Sequence, residues 1–98
     1  MKTFHIYILR CSDASYYTGV TSDLEGRLYQ HREGIIPTCY TYSRRPIELV
    51  YYEDSTDAIA AISREKQIKG WSRAKKEALI VGDIKNLEKL SIAYNERV

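Results

Sequence analysis

The residue in this sequence most in need of a chemical explanation is Glu65, because it interrupts an apolar helical pattern. Ala58, Ile59, Ala61, Ile62 and Ile68 mark a stripe at about 3.6 residues per turn. Glu65 lies three residues from both Ile62 and Ile68 and so falls within that stripe. A carboxylate aimed at a core is costly unless it is paired or bound to a metal. Two readings stand side by side: a structural partner for an arginine, or a metal ligand at the edge of a sheet. A second constellation is Arg27 and His31, at i and i+4 beside the apolar pair Leu24 and Leu28. Arginine can fork onto a phosphate, and histidine moves a proton near neutral pH. Exposed Arg/His pairs are also common helix decoration. Tyrosine supplies the third signal. The chain has nine, and Tyr7 and Tyr17 fall on two adjacent β-rich segments. A tyrosine in such a segment is ordinarily half-buried, with its hydroxyl at the rim. Tyr29, Tyr51, Tyr52 and Tyr94 are assigned to packing or the surface.

The elements that must position these side chains can be read from the same sequence. His5–Arg10 and Tyr16–Thr21 read as strands, joined through the polar stretch Cys11–Ser15 as a hairpin with a five-residue loop. Ser22-Asp23-Leu24-Glu25 has the form of a capping box, which predicts a helix from Ser22 to about Glu33, stopped by Gly34. Gly26 inside that helix costs about 1 kcal/mol relative to alanine. A close backbone approach is the only rationale offered by the sequence. Residues 35–46, with two prolines and a Tyr/Thr/Ser cluster, read as a loop, and residues 47–53 as a third strand. Asp54-Ser55-Thr56 offer caps for a helix ending near Gly70. Ser72 caps another that is stopped by Gly82, and a last helix runs over about 83–95. The order ββαβααα predicts an α+β fold, a three-stranded, mainly antiparallel sheet flanked by helices. Ninety-eight residues suit one domain, 1–98, with a core over about 4–82.

Composition narrows the function classes. A hydrophobic content of 44% and a charged content of 29% describe a globular chain, not a disordered one. No apolar run approaches the roughly 20 residues of a membrane span, and the first residues carry no secretory signal pattern. Cys11 and Cys39 lack metal-binding spacing and read as reduced thiols, which places the chain in the cytoplasm. The net charge of +2 is small, but residues 64–77 carry six basic and two acidic side chains. Such a local patch suits a phosphate backbone, and a solvated helix face explains it equally well.

Taken in order, these residues resemble a known family. His5-Ile6-Tyr7 followed by Tyr17-Thr18-Gly19 is similar to the paired signature that names the GIY-YIG nucleases. Arg27 and His31 fall where that family has its helix arginine and neighbouring histidine, and Glu65 where it has its metal-binding glutamate. Five ordered positions across three elements carry the resemblance, which runs from Phe4 to about Ile80. It is closest to small stand-alone bacterial proteins similar to the N-terminal domain of a DNA-repair excinuclease. Leu49-Val50-Tyr51-Tyr52-Glu53 and Ile68-Lys69-Gly70-Trp71 strengthen that likeness. The sequence departs from the pattern at His5 and Thr18. It also has no asparagine between Glu65 and Asn86, where many family nucleases place one.

The resemblance implies a metal-dependent endonuclease that hydrolyses phosphodiester bonds in DNA, in repair or processing. Its catalytic residues would be Tyr7, Tyr17, Arg27, His31 and Glu65, with Glu65 holding Mg²⁺, or Mn²⁺ in its place. The partner is nucleic acid, DNA ahead of RNA, with no membrane, and the oligomeric state is left open. Arg44, Arg45, Lys66, Lys69, Arg73, Lys75 and Lys76 are the candidates for backbone contacts. The missing asparagine favours an alternative, a nucleic-acid-binding module that keeps the fold without cleaving.

Overall fold

The structure, a computed structural model, describes residues 2–83, 85 and 87. Its strands are β1 (Phe4–Arg10), β2 (Tyr16–Thr21) and β3 (Glu48–Ser55), paired antiparallel in the order β2-β1-β3. Its helices are α1 (Leu24–Glu33), α2 (Ala58–Lys69) and α3 (Arg73–Val81), with a short 3-10 turn at Tyr42–Arg44. This is the expected three-stranded α+β sandwich. The helix expected over 83–95 lies almost wholly outside the described residues.

Strand β1 sits in the centre and is buried on both faces. Ile6 and Ile8 point to one side and join Ala61 and Ile68 of α2 and Leu79 of α3. Tyr7 and Leu9 point to the other and join Cys11, Leu28 of α1 and Ile47. Four consecutive buried residues, Ile6 to Leu9, are what a strand covered on both faces requires. The register places Tyr7 opposite Gly19 and Leu9 opposite Tyr17, so both tyrosines face the α1 side. A bulge between Ile8 and Leu9 on the β3 side lets Val50 and Tyr51 both pack toward Ile6 and Ile8.

Three sequence expectations need correction. The first helix starts at Leu24 and not Ser22, because the Asp23 carboxylate caps it by accepting from the Gly26 N–H at 3.1 Å. Asp23 is in turn held by its own N–H donating to Thr21 Oγ1 at 3.0 Å, so the Ser22 capping box does not form. The third strand runs on to Ser55, since Asp54 and Ser55 pair with His5 and Phe4. The α2 cap therefore passes to Asp57, which accepts from the Ile59 N–H at 3.2 Å. The apolar stripe on α2 is also narrower than its sequence pattern. Ile59 is 77% exposed and Ile62 46% exposed, and the buried line is Ala61, Glu65 and Ile68. Glu65 thus holds a buried position on the helix face turned to the sheet. Ser72 and Gly82 cap and stop α3 as expected.

The Asp23 cap also explains Gly26. A Cβ on Gly26 would run into the Asp23 carboxylate, so the cap and a side chain at this position exclude each other. Asp23→Ala should cost about 1 kcal/mol of stability through the lost cap. Gly26→Ala should bring none of the roughly 1 kcal/mol that alanine ordinarily adds to a helix, because it displaces that same carboxylate. Urea denaturation of both variants measures this, and a stabilised Gly26→Ala would contradict it.

Candidate active site

The α1 side of the sheet brings four of the sequence-nominated side chains together. The Tyr7 hydroxyl meets His31 Nε2 at 3.0 Å, and both groups are buried. The Tyr7 and Tyr17 rings are 6.3 Å apart, and the Tyr17 and His31 rings 5.2 Å. Arg27, one turn before His31 on α1, lies beside the Tyr7 hydroxyl and interacts with it. Tyr17, Arg27 and His31 line a cavity of about 200 Å³. Its other walls are Gln30, Gly34, Ile36, Cys39, Thr41 and Tyr42.

Gly19 makes this arrangement fit. The Tyr7 ring lies across β2 where Gly19 has no side chain, and a Cβ there would come within 2.5 Å of the Tyr7 ring and hydroxyl. The glycine of the second motif is therefore a packing requirement of the first motif's tyrosine. Behind His31, a polar chain runs into the loop over 35–46. His31 Nδ1 is 2.7 Å from Thr41 Oγ1, and the Thr41 hydroxyl donates to Cys39 Sγ at 3.4 Å. With that hydroxyl proton directed at sulfur, His31 Nδ1–H donates to Thr41, and Nε2 is left to accept the Tyr7 proton. Thr41 and Cys39 carry no signal in the sequence, since a loop without periodicity marks no inward-facing positions.

Burial shapes the titration of these groups. It pushes the Tyr7 phenol up to about 12, against the pull of the adjacent Arg27 guanidinium. It also raises the Tyr17 phenol, with Cys39 adding to the rise and the Lys69 and Arg27 charges opposing it. His31 is held below its ordinary value, first by burial and then by the Arg27 charge. Arg27 is itself unusual: its Nε is buried and has no hydrogen-bond partner, while Nη1 reaches Gln30 Oε1 at only 3.5 Å. A buried guanidinium donor left unspent is costly until an acceptor meets it.

Glu65 lies on α2 at the other face of the sheet and does not line the cavity, so the fifth nominated residue does not join the other four there. Helix α2 packs over β1 and over the edge strand β2, and the Glu65 charge acts on the Tyr17 hydroxyl round that edge. The side chain is paired with a lysine, not the arginine weighed from the sequence: Lys69 Nζ is 3.0 Å from Glu65 Oε1. No group of three or more His, Cys, Asp or Glu side chains that could hold a metal occurs among the described residues. One carboxylate fits Mg²⁺, which keeps several waters and takes the rest of its shell from phosphate oxygens. It does not fit a closed four-ligand zinc centre.

The basic candidates divide into two groups. Arg44 is tied to Asp13 at 3.2 Å, to the Tyr40 carbonyl at 2.8 Å and to the face of the Tyr40 ring. Arg45 donates to the Tyr42 carbonyl at 2.9 Å and lies over the Tyr42 ring, and Arg73 donates to the Ala14 carbonyl at 2.6 Å. These three arginines brace loops. Lys75 covers the Trp71 ring at 4.3 Å. Lys66 is exposed. Lys76 is half-buried, with its pKa lowered by burial and then by the Lys69 charge.

Fold and site together define a small α+β domain that gathers tyrosine, arginine and histidine on one face of a three-stranded sheet. The family profile described as the GIY-YIG catalytic domain matches residues 3–78, and the chain belongs to this family. It is 45% identical over 80 residues to a UPF0213 protein of Syntrophus aciditrophicus, covering 82% of this chain and 92% of that one. A UPF0213 protein of Haloquadratum walsbyi is 44% identical over 80 residues, covering 81% and 89%. Among solved structures, the NMR structure of a UPF0213 protein from Bacillus halodurans is similar at 37% identity and a TM-score of 0.54, covering 81% and 83%. An E. faecalis protein, also solved by NMR, has 29% identity and a TM-score of 0.59, covering 84% and 86%. Among the described residues, no helix is long and apolar enough to cross a membrane.

Two outcomes follow from this packing. Gly19→Ala should destabilise the domain by about 1–3 kcal/mol through overpacking and disturb the Tyr7–His31 hydrogen bond. Urea denaturation and the His31 ring resonances report the two effects. For pH, the folded state disfavours the His31 proton, while the unfolded chain takes it up near pH 6.5. The His31 contribution to stability should be complete above about pH 6.5 and be lost as pH falls through the lowered folded value. Denaturation across pH 5–7 measures that slope, which His31→Gln should flatten.

Proposed function

We propose that this chain is a metal-dependent endonuclease that hydrolyses phosphodiester bonds, with DNA as the preferred substrate and repair or processing as its setting. The observation that carries this reading is Arg27, which lines a cavity with Tyr17 and His31 and whose guanidinium keeps a buried Nε without a hydrogen-bond partner. A phosphate oxygen is the acceptor such a donor lacks, and guanidinium is the side chain best matched to it.

The parts take different roles. Arg27 binds the scissile phosphate and neutralises charge that grows on its oxygens as water attacks phosphorus and the P–O bond breaks. Tyr17 orients the water, because it lines the cavity, whereas Tyr7 is fully buried with its hydroxyl turned to His31. General-base action by Tyr17 requires its phenolate, which the Lys69 and Arg27 charges favour and burial opposes. Tyr7 and His31 hold α1 and Arg27 in register and give a proton a path to Thr41. Glu65 would hold Mg²⁺ or Mn²⁺, and that ion, when bound, supplies Lewis-acid stabilisation of the phosphate and the leaving oxygen. Lys66, Lys75 and Lys76 are the side chains left to follow the phosphate backbone.

A cleavage assay tests this directly, using single-stranded, flap, branched and duplex DNA and RNA with Mg²⁺ or Mn²⁺. Glu65→Gln should lower cleavage by about a hundredfold or more, the loss of about 3 kcal/mol in the transition state. Nucleic-acid binding should survive in that variant. Arg27→Ala should slow cleavage strongly, and Tyr17→Phe should fold normally and turn over slowly. Lys66→Ala should mainly weaken binding and reduce its salt dependence. Wild-type protein that binds nucleic acid but cuts nothing in either metal would establish the binding-module reading instead.

A further inference from the structure

The ion pair at Glu65 is asymmetric. Only 10% of the Glu65 side chain is exposed, against 60% of Lys69, which meets it at 3.0 Å from one turn further along α2. A nearly buried carboxylate is costly without a cation beside it. The lysine, by contrast, loses little by swinging its ammonium back into water on a flexible stem. The Lys69 charge also acts on the Tyr17 hydroxyl and on the half-buried Lys76. Its ammonium, 3.0 Å from Glu65 Oε1, holds the carboxylate that a site cation would need. A divalent cation and an ammonium held at the same carboxylate repel one another, so each weakens the other's binding.

We infer that Lys69 is a tethered counter-ion that keeps the Glu65 site formed without metal and competes with a divalent cation for that carboxylate. The inference rests on the metal role proposed for Glu65. It gives Lys69 a function different from the backbone contact suggested by its place in a basic run. Lys69 sets the concentration of divalent cation at which the site loads. Until then it spares the sheet edge an uncompensated negative charge. Lys66, three residues earlier on the same helix, is equally basic and exposed, so general electrostatics and specific competition can be separated.

The test is Mn²⁺ binding to the full chain without nucleic acid, followed by the loss of the free-ion signal in electron paramagnetic resonance. Lys69→Met keeps the apolar stem, removes the charge and should tighten Mn²⁺ by about fivefold. Lys69→Gln should do the same, which covers a folding defect in either variant. Lys66→Met should leave the affinity unchanged, and Glu65→Gln should remove the binding. Unchanged or weaker Mn²⁺ affinity in both Lys69 variants overturns the inference, as does equal tightening in Lys66→Met. If Glu65→Gln still abolishes binding in those cases, the metal role of Glu65 stands without it. Binding that Glu65→Gln does not affect overturns both.

Discussion

The hydrogen bond between the Tyr7 hydroxyl and His31 Nε2 is the contact on which the rest of the site depends. It joins the central strand to α1 inside the core, where neither polar group has water to fall back on. Each therefore needs the other, and satisfying both fixes the rotation of α1 over the sheet. Arg27, one turn from His31, is placed by that rotation, and the loop over 35–46 is placed by the Thr41 hydroxyl behind the imidazole. The bond needs room, which Gly19 supplies by leaving the Tyr7 ring uncovered on the neighbouring strand.

A second constraint acts at the edge of the sheet. Tyr17 belongs to the α1 face and Glu65 to a helix on the opposite face, so only an edge strand lets them influence one another. Strand β2 is that edge. The antiparallel order β2-β1-β3 thus does two jobs: it buries β1 on both sides and leaves β2 as an edge strand. A site built this way needs little chain.

The cations show how a basic sequence is spent. Arg44 and Arg45 lie on tyrosine rings and cap carbonyls in the loop that walls the cavity, and Arg73 pins the β1–β2 hairpin from α3. Arginine serves here because its planar fork satisfies a carbonyl and an aromatic face at once. Among the described residues, Arg27 is the cation that combines a buried, unspent donor with a place on the cavity wall.

Much of the fold is legible in the residues. The β-rich segments, the Cys11–Ser15 hairpin and the stops at Gly34, Gly70 and Gly82 are local signals, set by backbone preference and burial pattern. The spacing of Arg27 and His31 is equally local, because a helix alone puts i and i+4 on one face. Caps are less legible: Ser22 and Asp23 both offer a suitable oxygen, and the choice falls to Asp23 because Thr21 holds its backbone. The exposure of Ile59 and Ile62 is hidden from the sequence, since periodicity counts apolar residues but not how wide a face the sheet can cover. What only the tertiary structure decided is which polar groups meet: His31 with Thr41 and Cys39, and Glu65 with Lys69 instead of an arginine. These contacts join side chains whose meeting depends on helix rotation and loop path. Both are set by satisfying buried polar atoms throughout the fold, a sum that no local stretch of sequence contains.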